Sequence, residues 1–322
     1  MLCAISRDLP PLTARFLEHA PPGRNFREET ITDLITGAFA GLGSLGLTVD
    51  LPNEKKTGAD MEWWFVNPRT GKNLRILIQA KRASKGRKWS SARFTELAHP
   101  HNRGTQCADL LAEARRMRNQ TLALYAFYTP KAVVDAANLV KGRDLTGIDF
   151  ASAHFVSTLI AKDMAGQTAS KIAGKVRYAW PNRKLNVIRP RLFGLRDLLC
   201  FPHLPVIFRP MPTTRGPSGF RLSFDVSGAT IGGMALPTPE QMLERLREFK
   251  VDPEGAADSA GQILDAPLPD YVRRMIEGRS DDGGGSQPFG RRVVVFNSGG
   301  DETFLAKISL ERPVLTDGKQ EE

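Results

Sequence analysis

At 322 residues, with 41% apolar and 25% charged side chains, the chain has the composition of a globular protein and the length of about two domains. Its 45 Lys and Arg against 35 Asp and Glu leave a formal charge of +10. That favours a polyanionic partner through counterion release, but does not separate a nucleic-acid binder from a merely basic protein. No apolar run approaches the ~18 residues of a membrane span, and Cys3, Cys107 and Cys200 are too few and too scattered for a disulfide framework or a zinc site, so a reducing, cytoplasmic setting is expected.

Residues 1–25 are Pro-rich, lack the apolar run of a signal peptide, and are expected to be an irregular lead-in. From Phe26 the sequence FREETITDLITGAFAGL places Ile31, Leu34, Ile35, Ala38, Phe39 and Leu42 on one helix face. Glu28 and Glu29 fall in its first turn, where acidic groups suit the helix dipole, and the glycines at 41, 43 and 46 end it. GLGSLG matches the spacing of a dinucleotide fingerprint, but a helix precedes it and a strand follows, the reverse of what that site needs.

LTVDLP (47–52) is a short strand candidate, and DMEWWFV (60–66) and LRILIQAKRA (74–83) form a hairpin around the NPRTGKN turn. TQCADLLAEARRM (105–117) has helical periodicity and TLALYAFYTP (121–130) reads as a buried strand, parallel to 74–81 by a right-handed crossover. Beyond residue 130 the expected elements are a helix at 132–140, an ambiguous stretch at 150–161, a helix or buried run at 192–201, a proline-rich loop at 202–217 and a capped helix at 238–250. A linker at 280–290 and a hairpin at 291–310 close the chain. The division expected is a lead-in (1–25), a core (26–150) and a C-terminal α+β region (151–322).

The hairpin carries the chemistry. Period-2 alternation puts Leu74, Ile76, Ile78 and Ala80 on one face of the second strand and Arg75, Leu77, Gln79 and Lys81 on the other. An amide and an ammonium thus project side by side, opposite a strand that begins at Asp60 with Glu62 on its face. Asp60 and the Gln79 amide oxygen are hard ligands suited to Mg²⁺ or Mn²⁺, with Lys81 placed to orient a water and offset phosphate charge. Glu28 shares the core-facing stripe of its helix and is a further candidate carboxylate. The same residues also fit a salt bridge across a surface hairpin with Gln79 as a chance neighbour.

GAD (58–60), EWWF (62–65) and IQAKR (78–82) resemble the PD-(D/E)XK nuclease superfamily, and more narrowly its Gln-x-Lys branch, which includes Mrr-like restriction enzymes. EETITDLI, GTQCADLL and LYAFY add similarity to an uncharacterised bacterial family of restriction-endonuclease-like proteins. The resemblance covers about residues 26–130. It implies an α/β fold with an αβββαβ core and a mixed central sheet, an active site of Asp60, Gln79 and Lys81 with Glu28, and Mg²⁺- or Mn²⁺-dependent endonuclease cleavage of DNA, including defence against foreign DNA. Two departures stand out: Ala59 replaces the proline of the motif, and Gln79 replaces its acidic residue, which removes a charge unless Glu28 or Glu62 compensates. A catalytically inactive nucleic-acid-binding module, an RNA-directed nuclease and a homodimer are left open.

The basic loop after the active strand, with Arg82, Lys85, Arg87 and Lys88 around Trp89, is the expected nucleic-acid contact, against the simpler reading of a solvated charged loop. His99 and His101 flank Pro100 and read as ordinary loop residues. Gln106 opens the next helix, where the resemblance places it near the site.

Overall fold

A computed structural model describes residues 2–19, 28–41, 47–50, 59–84, 89–94, 97, 105–116, 121–165, 169–172, 175–178, 183–201, 236–251, 264–265, 268–277 and 292–298. The helices are α1 (Leu2–Glu18), α2 (Glu28–Ala40), α3 (Thr105–Arg116), α4 (Lys131–Asn138), α5 (Ala153–Ala165), α6 (Leu185–Ile188), α7 (Leu195–Leu199), α8 (Pro239–Glu248) and α9 (Asp270–Ile276). The strands are β1 (Leu47–Asp50), β2 (Met61–Asn67), β3 (Lys72–Arg82), β4 (Thr121–Tyr128), β5 (Ile148–Ser152), β6 (Ala169–Ile172), β7 (Lys175–Tyr178), β8 (Phe193–Gly194) and β9 (Arg292–Asn297). Seven of them form one mixed sheet in the order β1-β9-β2-β3-β4-β5-β8, while β6 and β7 pair separately.

The expected hairpin forms: β2 and β3 pair antiparallel, Met61 opposite Ile78 and Asn67 opposite Lys72. Gly71, at φ +68°, takes the left-handed turn that a side chain disfavours. The crossover through α3 lays β4 parallel to β3, with Gln79 beside Tyr125 and Lys81 beside Phe127. Both central strands are buried almost throughout, because helices cover both faces.

Alternation divides the sheet's side chains. One face holds Trp63, Phe65, Ile76, Ile78, Leu124, Phe150 and Phe296, packed on residues of α1, α2, α7 and α8 such as Leu9, Ile35, Phe39, Leu198 and Leu246. Trp63 lies edge-on to Phe39, Phe150 and Phe296 and is fully buried; truncating such a residue costs about 3–5 kcal/mol. The other face sets Leu77, Tyr125 and Phe127 against Leu110 and Leu111 of α3 and Val156 and Leu159 of α5. At its β9 end Val272 of α9 packs on Trp64 and Val295.

Of the residues expected as an irregular lead-in, Leu2–Glu18 form α1, despite Pro10 and Pro11 within it. An interior proline costs about 3 kcal/mol in a helix, here outweighed by a buried stripe of Leu2, Leu9, Pro10, Ala14 and Leu17. The expectation of no disulfide is also corrected: Cys3 of α1 is bonded to Cys200, just after α7. The two cysteines lie far apart in sequence, so only the packing of α1 on α7 brings them together.

The ambiguous stretch at 150–161 is the end of β5 followed by α5, and 192–201 is β8 followed by α7. The capped helix is as expected: Thr238 accepts from Gln241 N, Gln241 Oε1 accepts from Thr238 N, and Pro239 starts the helix. The strand expected as one arm of a terminal hairpin is β9, and it lies inside the central sheet, antiparallel to β1 and parallel to β2. Its buried run RVVVFN satisfies two neighbours instead of one. The second arm, the linker 280–290 and the loop 202–217 lie outside the described residues. No helix among the described residues is long and apolar enough to cross a membrane.

Candidate active site

Asp60 directly precedes β2, and its backbone N–H donates to Ile78 O at 2.9 Å, which fixes it across from the end of β3. Its Oδ2 accepts two hydrogen bonds, from Ala80 N at 2.7 Å and from Gln79 Nε2 at 2.5 Å. Burial raises the proton affinity of this carboxyl; the Lys81 charge, the Ala80 N–H and the Arg292 charge oppose the rise, and Glu29 adds to it. Desolvation wins because a carboxylate loses more from leaving water than these partners return.

Gln79 is 1% exposed. Its Nε2, not its oxygen, faces Asp60, and Oε1 is buried without a hydrogen-bond partner among the described residues. Electrostatics favours this orientation, since two oxygens in contact would repel.

Lys81 lies two residues on, on the same face and 3% exposed. Its Nζ is 3.5 Å from Oε2 of Glu28, the first residue of α2. Glu28 Oε1 accepts from Arg82 N at 2.8 Å. The structure therefore brings Asp60, Gln79, Lys81 and Glu28 together around one end of β3, and the surface salt bridge weighed from sequence is ruled out by burial.

Glu62, the other carboxylate considered as compensation for Gln79, is engaged elsewhere. Its Oε1 accepts from Trp64 Nε1 at 2.6 Å, from Arg75 Nε at 2.8 Å and from Tyr271 OH. This buried network ties α9 to β2 and β3, and the Arg75 guanidinium also lies 5.6 Å over the Trp64 ring.

Of the expected nucleic-acid contacts, Arg82 is half-buried at the end of β3, while Lys85, Arg87 and Lys88 lie outside the described residues, as do His99 and His101. Trp89 is half-buried with the Arg189 guanidinium 5.2 Å over its ring, so that face is covered. Gln106 is half-buried in the first turn of α3, and no hydrogen bond joins it to Asp60, Gln79 or Lys81.

Two residues of the neighbourhood escape sequence reasoning. Arg292 opens β9 beside Met61, pairs with Asp33 of α2, and its charge bears on Asp60. Tyr125, beside Gln79 on β4, is fully buried. Arg292 carries no local signal, because its role depends on where β9 inserts. Tyr125 was findable: once β4 is taken as parallel to β3, alternation puts it on the Gln79 face.

Among the described residues no group of three or more His, Cys, Asp or Glu side chains is gathered. The oxygens at hand are those of Asp60, Glu28 and the Gln79 amide. They are hard donors of the kind a hydrated divalent cation prefers, and the unpartnered Gln79 Oε1 is the observation that makes the set fit one.

A family model matches residues 2–302, and the chain belongs to that family, described as a family of unknown function (DUF6615). No curated protein and no solved structure matches it.

Proposed function

We propose that this member of a family of unknown function is a nuclease of restriction-endonuclease-like type that uses Mg²⁺ or Mn²⁺ to hydrolyse phosphodiester bonds in DNA. The observation that carries the reading is the contact of Gln79 with Asp60 beside the buried Lys81–Glu28 pair. Four polar side chains are gathered where β3 leaves an otherwise apolar sheet, an arrangement that packing alone does not require. The element order α2-β1-β2-β3-α3-β4, with β2–β3 antiparallel and β3–β4 parallel, supports it, as does the net charge of +10. A role in defence against foreign DNA rests on the sequence resemblance alone.

Asp60, the Gln79 amide oxygen and Glu28 would hold the cation. When bound, it supplies a polarised phosphoryl oxygen and a water of lowered pKa. The chain's own residues do the rest. Lys81 presents its ammonium from a nearly dry site, where charge acts strongly on phosphate oxygens and on an attacking water. Glu28 fixes that ammonium, being itself held by Arg82 N. Burial raises the Asp60 carboxyl's proton affinity, and the nearby Lys81 and Arg292 charges oppose that rise.

Incubating the purified protein with plasmid, linear DNA and RNA, with Mg²⁺, Mn²⁺ or chelator, tests this. Metal-dependent DNA cleavage lost in Asp60→Ala is expected. Cleavage of RNA alone moves the substrate. Tight DNA binding with no cleavage under any metal replaces the nuclease with a binding module.

A further inference from the structure

Past Lys81 the chain keeps its extended course beside β4, with Ala83 N donating to Tyr128 O at 2.9 Å. On the other flank the N–H groups of alternate residues are taken in turn by Asp60, Glu28 and Arg93. Ala80 N donates to Asp60 Oδ2 at 2.7 Å, Arg82 N to Glu28 Oε1 at 2.8 Å and Ser84 N to the Arg93 carbonyl at 2.7 Å. The Arg93 backbone is therefore next in line after two carboxylates of the candidate site. At about 3.3 Å per residue it lies roughly 13 Å along the strand from the Asp60 contact.

Arg93 is in turn bridged antiparallel to Lys184. Phe94 N donates to Arg183 O at 3.0 Å and Leu185 N to Ala92 O at 2.9 Å, so these bonds flank the Arg93–Lys184 pair instead of joining it. That is the cross-strand position at which two side chains come closest, on one face. Ala92, Phe94 and Leu185 belong to the core, and alternation leaves Arg93 and Lys184 on the outer side, the first exposed and the second half-buried. Like charges directly opposite one another destabilise a strand pair. Among the described residues neither cation has an ion-pair partner. Asp163 of α5 bears instead on the buried Arg183, whose guanidinium burial and the Arg93 charge make easier to deprotonate. Two adjacent, unpaired cations held together by the fold suit a ligand with closely repeated negative charges.

We propose that Arg93 and Lys184 bind the phosphate backbone of DNA beyond the candidate cleavage site. The inference rests on the reading of DNA as the partner of that site, and not on its cleavage. The roughly 13 Å from the Asp60 contact corresponds to about four nucleotide steps of one strand. Phosphate contacts carry no sequence information, so the pair adds affinity and orientation without base preference.

The test is fluorescence anisotropy of a labelled DNA duplex titrated with the full chain across about 50–200 mM salt, with chelator and again with Ca²⁺, a larger ion that also takes oxygen ligands. Arg93→Gln/Lys184→Gln is compared with wild type and with Arg15→Gln/Arg196→Gln, which removes the same charge from exposed positions on α1 and α7. In the first variant the slope of log affinity against log salt should be shallower by about 1.8, the value of two phosphate contacts, at a melting temperature unchanged or raised. The second variant and Arg93→Lys, which keeps its charge, should retain the wild-type slope. A wild-type slope in Arg93→Gln/Lys184→Gln, or an equal loss in Arg15→Gln/Arg196→Gln, overturns the assignment and leaves DNA as the partner. A duplex that wild type does not bind under either condition sinks DNA as the partner, and this inference with it.

Discussion

Glu28 and Lys81 join the start of α2 to the end of β3: Oε2 lies 3.5 Å from Nζ, and Oε1 of the same carboxylate accepts the N–H of the next residue, Arg82. One helix-terminal side chain thus holds both the charge and the backbone of the strand that carries the candidate site.

Lys81→Met should lower DNA cleavage by about 100-fold or more, the scale of removing one electrostatic stabiliser, while keeping Mn²⁺ binding. Lys81→Ala should lose as much activity and melt lower than Lys81→Met: both leave Glu28, largely shielded from water, without the Lys81 cation, but only the alanine also empties the space of the buried stem. Steady-state cleavage and melting curves on the two variants check this. Equal cleavage by wild type and Lys81→Met would remove Lys81 from the mechanism.

Gln79→Glu places a second carboxyl against Asp60 where an N–H now donates. Metal-free protein should lose stability at neutral pH, because two adjacent buried carboxylates cannot both ionise cheaply. Mn²⁺ should bind more tightly than to wild type and produce a larger rise in melting temperature, with some cleavage retained. Melting with and without Mn²⁺ reads both effects, and a smaller metal-induced rise than wild type's would count against Asp60 and residue 79 sharing a cation.

Asp149 on β5 is fully buried. Burial pushes its carboxyl up to about 7, against the bonds it accepts from Thr146 N, Thr146 Oγ1 and Gly147 N, while Asp197 adds to the rise. The folded state therefore keeps a proton that the unfolded state releases near pH 4. More protons are bound in the folded state, so stability falls as pH rises from about 4 to about 7 and is then flat in this group. Asp149→Asn should flatten that slope, and melting curves from pH 4 to pH 8 show it. An equal slope in the variant would assign the dependence elsewhere.

Gly147 sits at φ +108°, and a Cβ there would come within 2.6 Å of Pro10 O and 2.8 Å of Ala14 Cβ in α1. Gly147→Ala should destabilise the protein by about 2–4 kcal/mol, combining backbone strain with a close contact that α1 must yield to. Chemical denaturation measures it. A loss below about 0.5 kcal/mol, the range of an ordinary surface change, would show that α1 does not pack here as described.

The sequence by itself determined the elements whose signals are local. Alternation along 60–83 yields the β2–β3 hairpin and its two faces, the helical period yields α2 and α3, and the cap at Thr238 yields α8, because side-chain periodicity and capping chemistry act within a few residues. It also singled out Gln79 and Lys81 as polar residues on a buried strand, Asp60 at the start of the strand opposite, and Glu28 on the core-facing stripe of its helix, four residues that the fold brings to one end of β3. Only the tertiary structure decided what depends on distant partners. α1 forms across two prolines because a buried face outweighs them, Cys3 meets Cys200 because α1 packs on α7, and β9 enters the sheet between β1 and β2, carrying Arg292 towards Asp60. The orientation of the Gln79 amide and the engagement of Glu62 by Arg75, Trp64 and Tyr271 belong to the same class. Hydrogen bonds and burial are set by which groups are brought within about 3 Å of each other, and no local pattern along the chain encodes that.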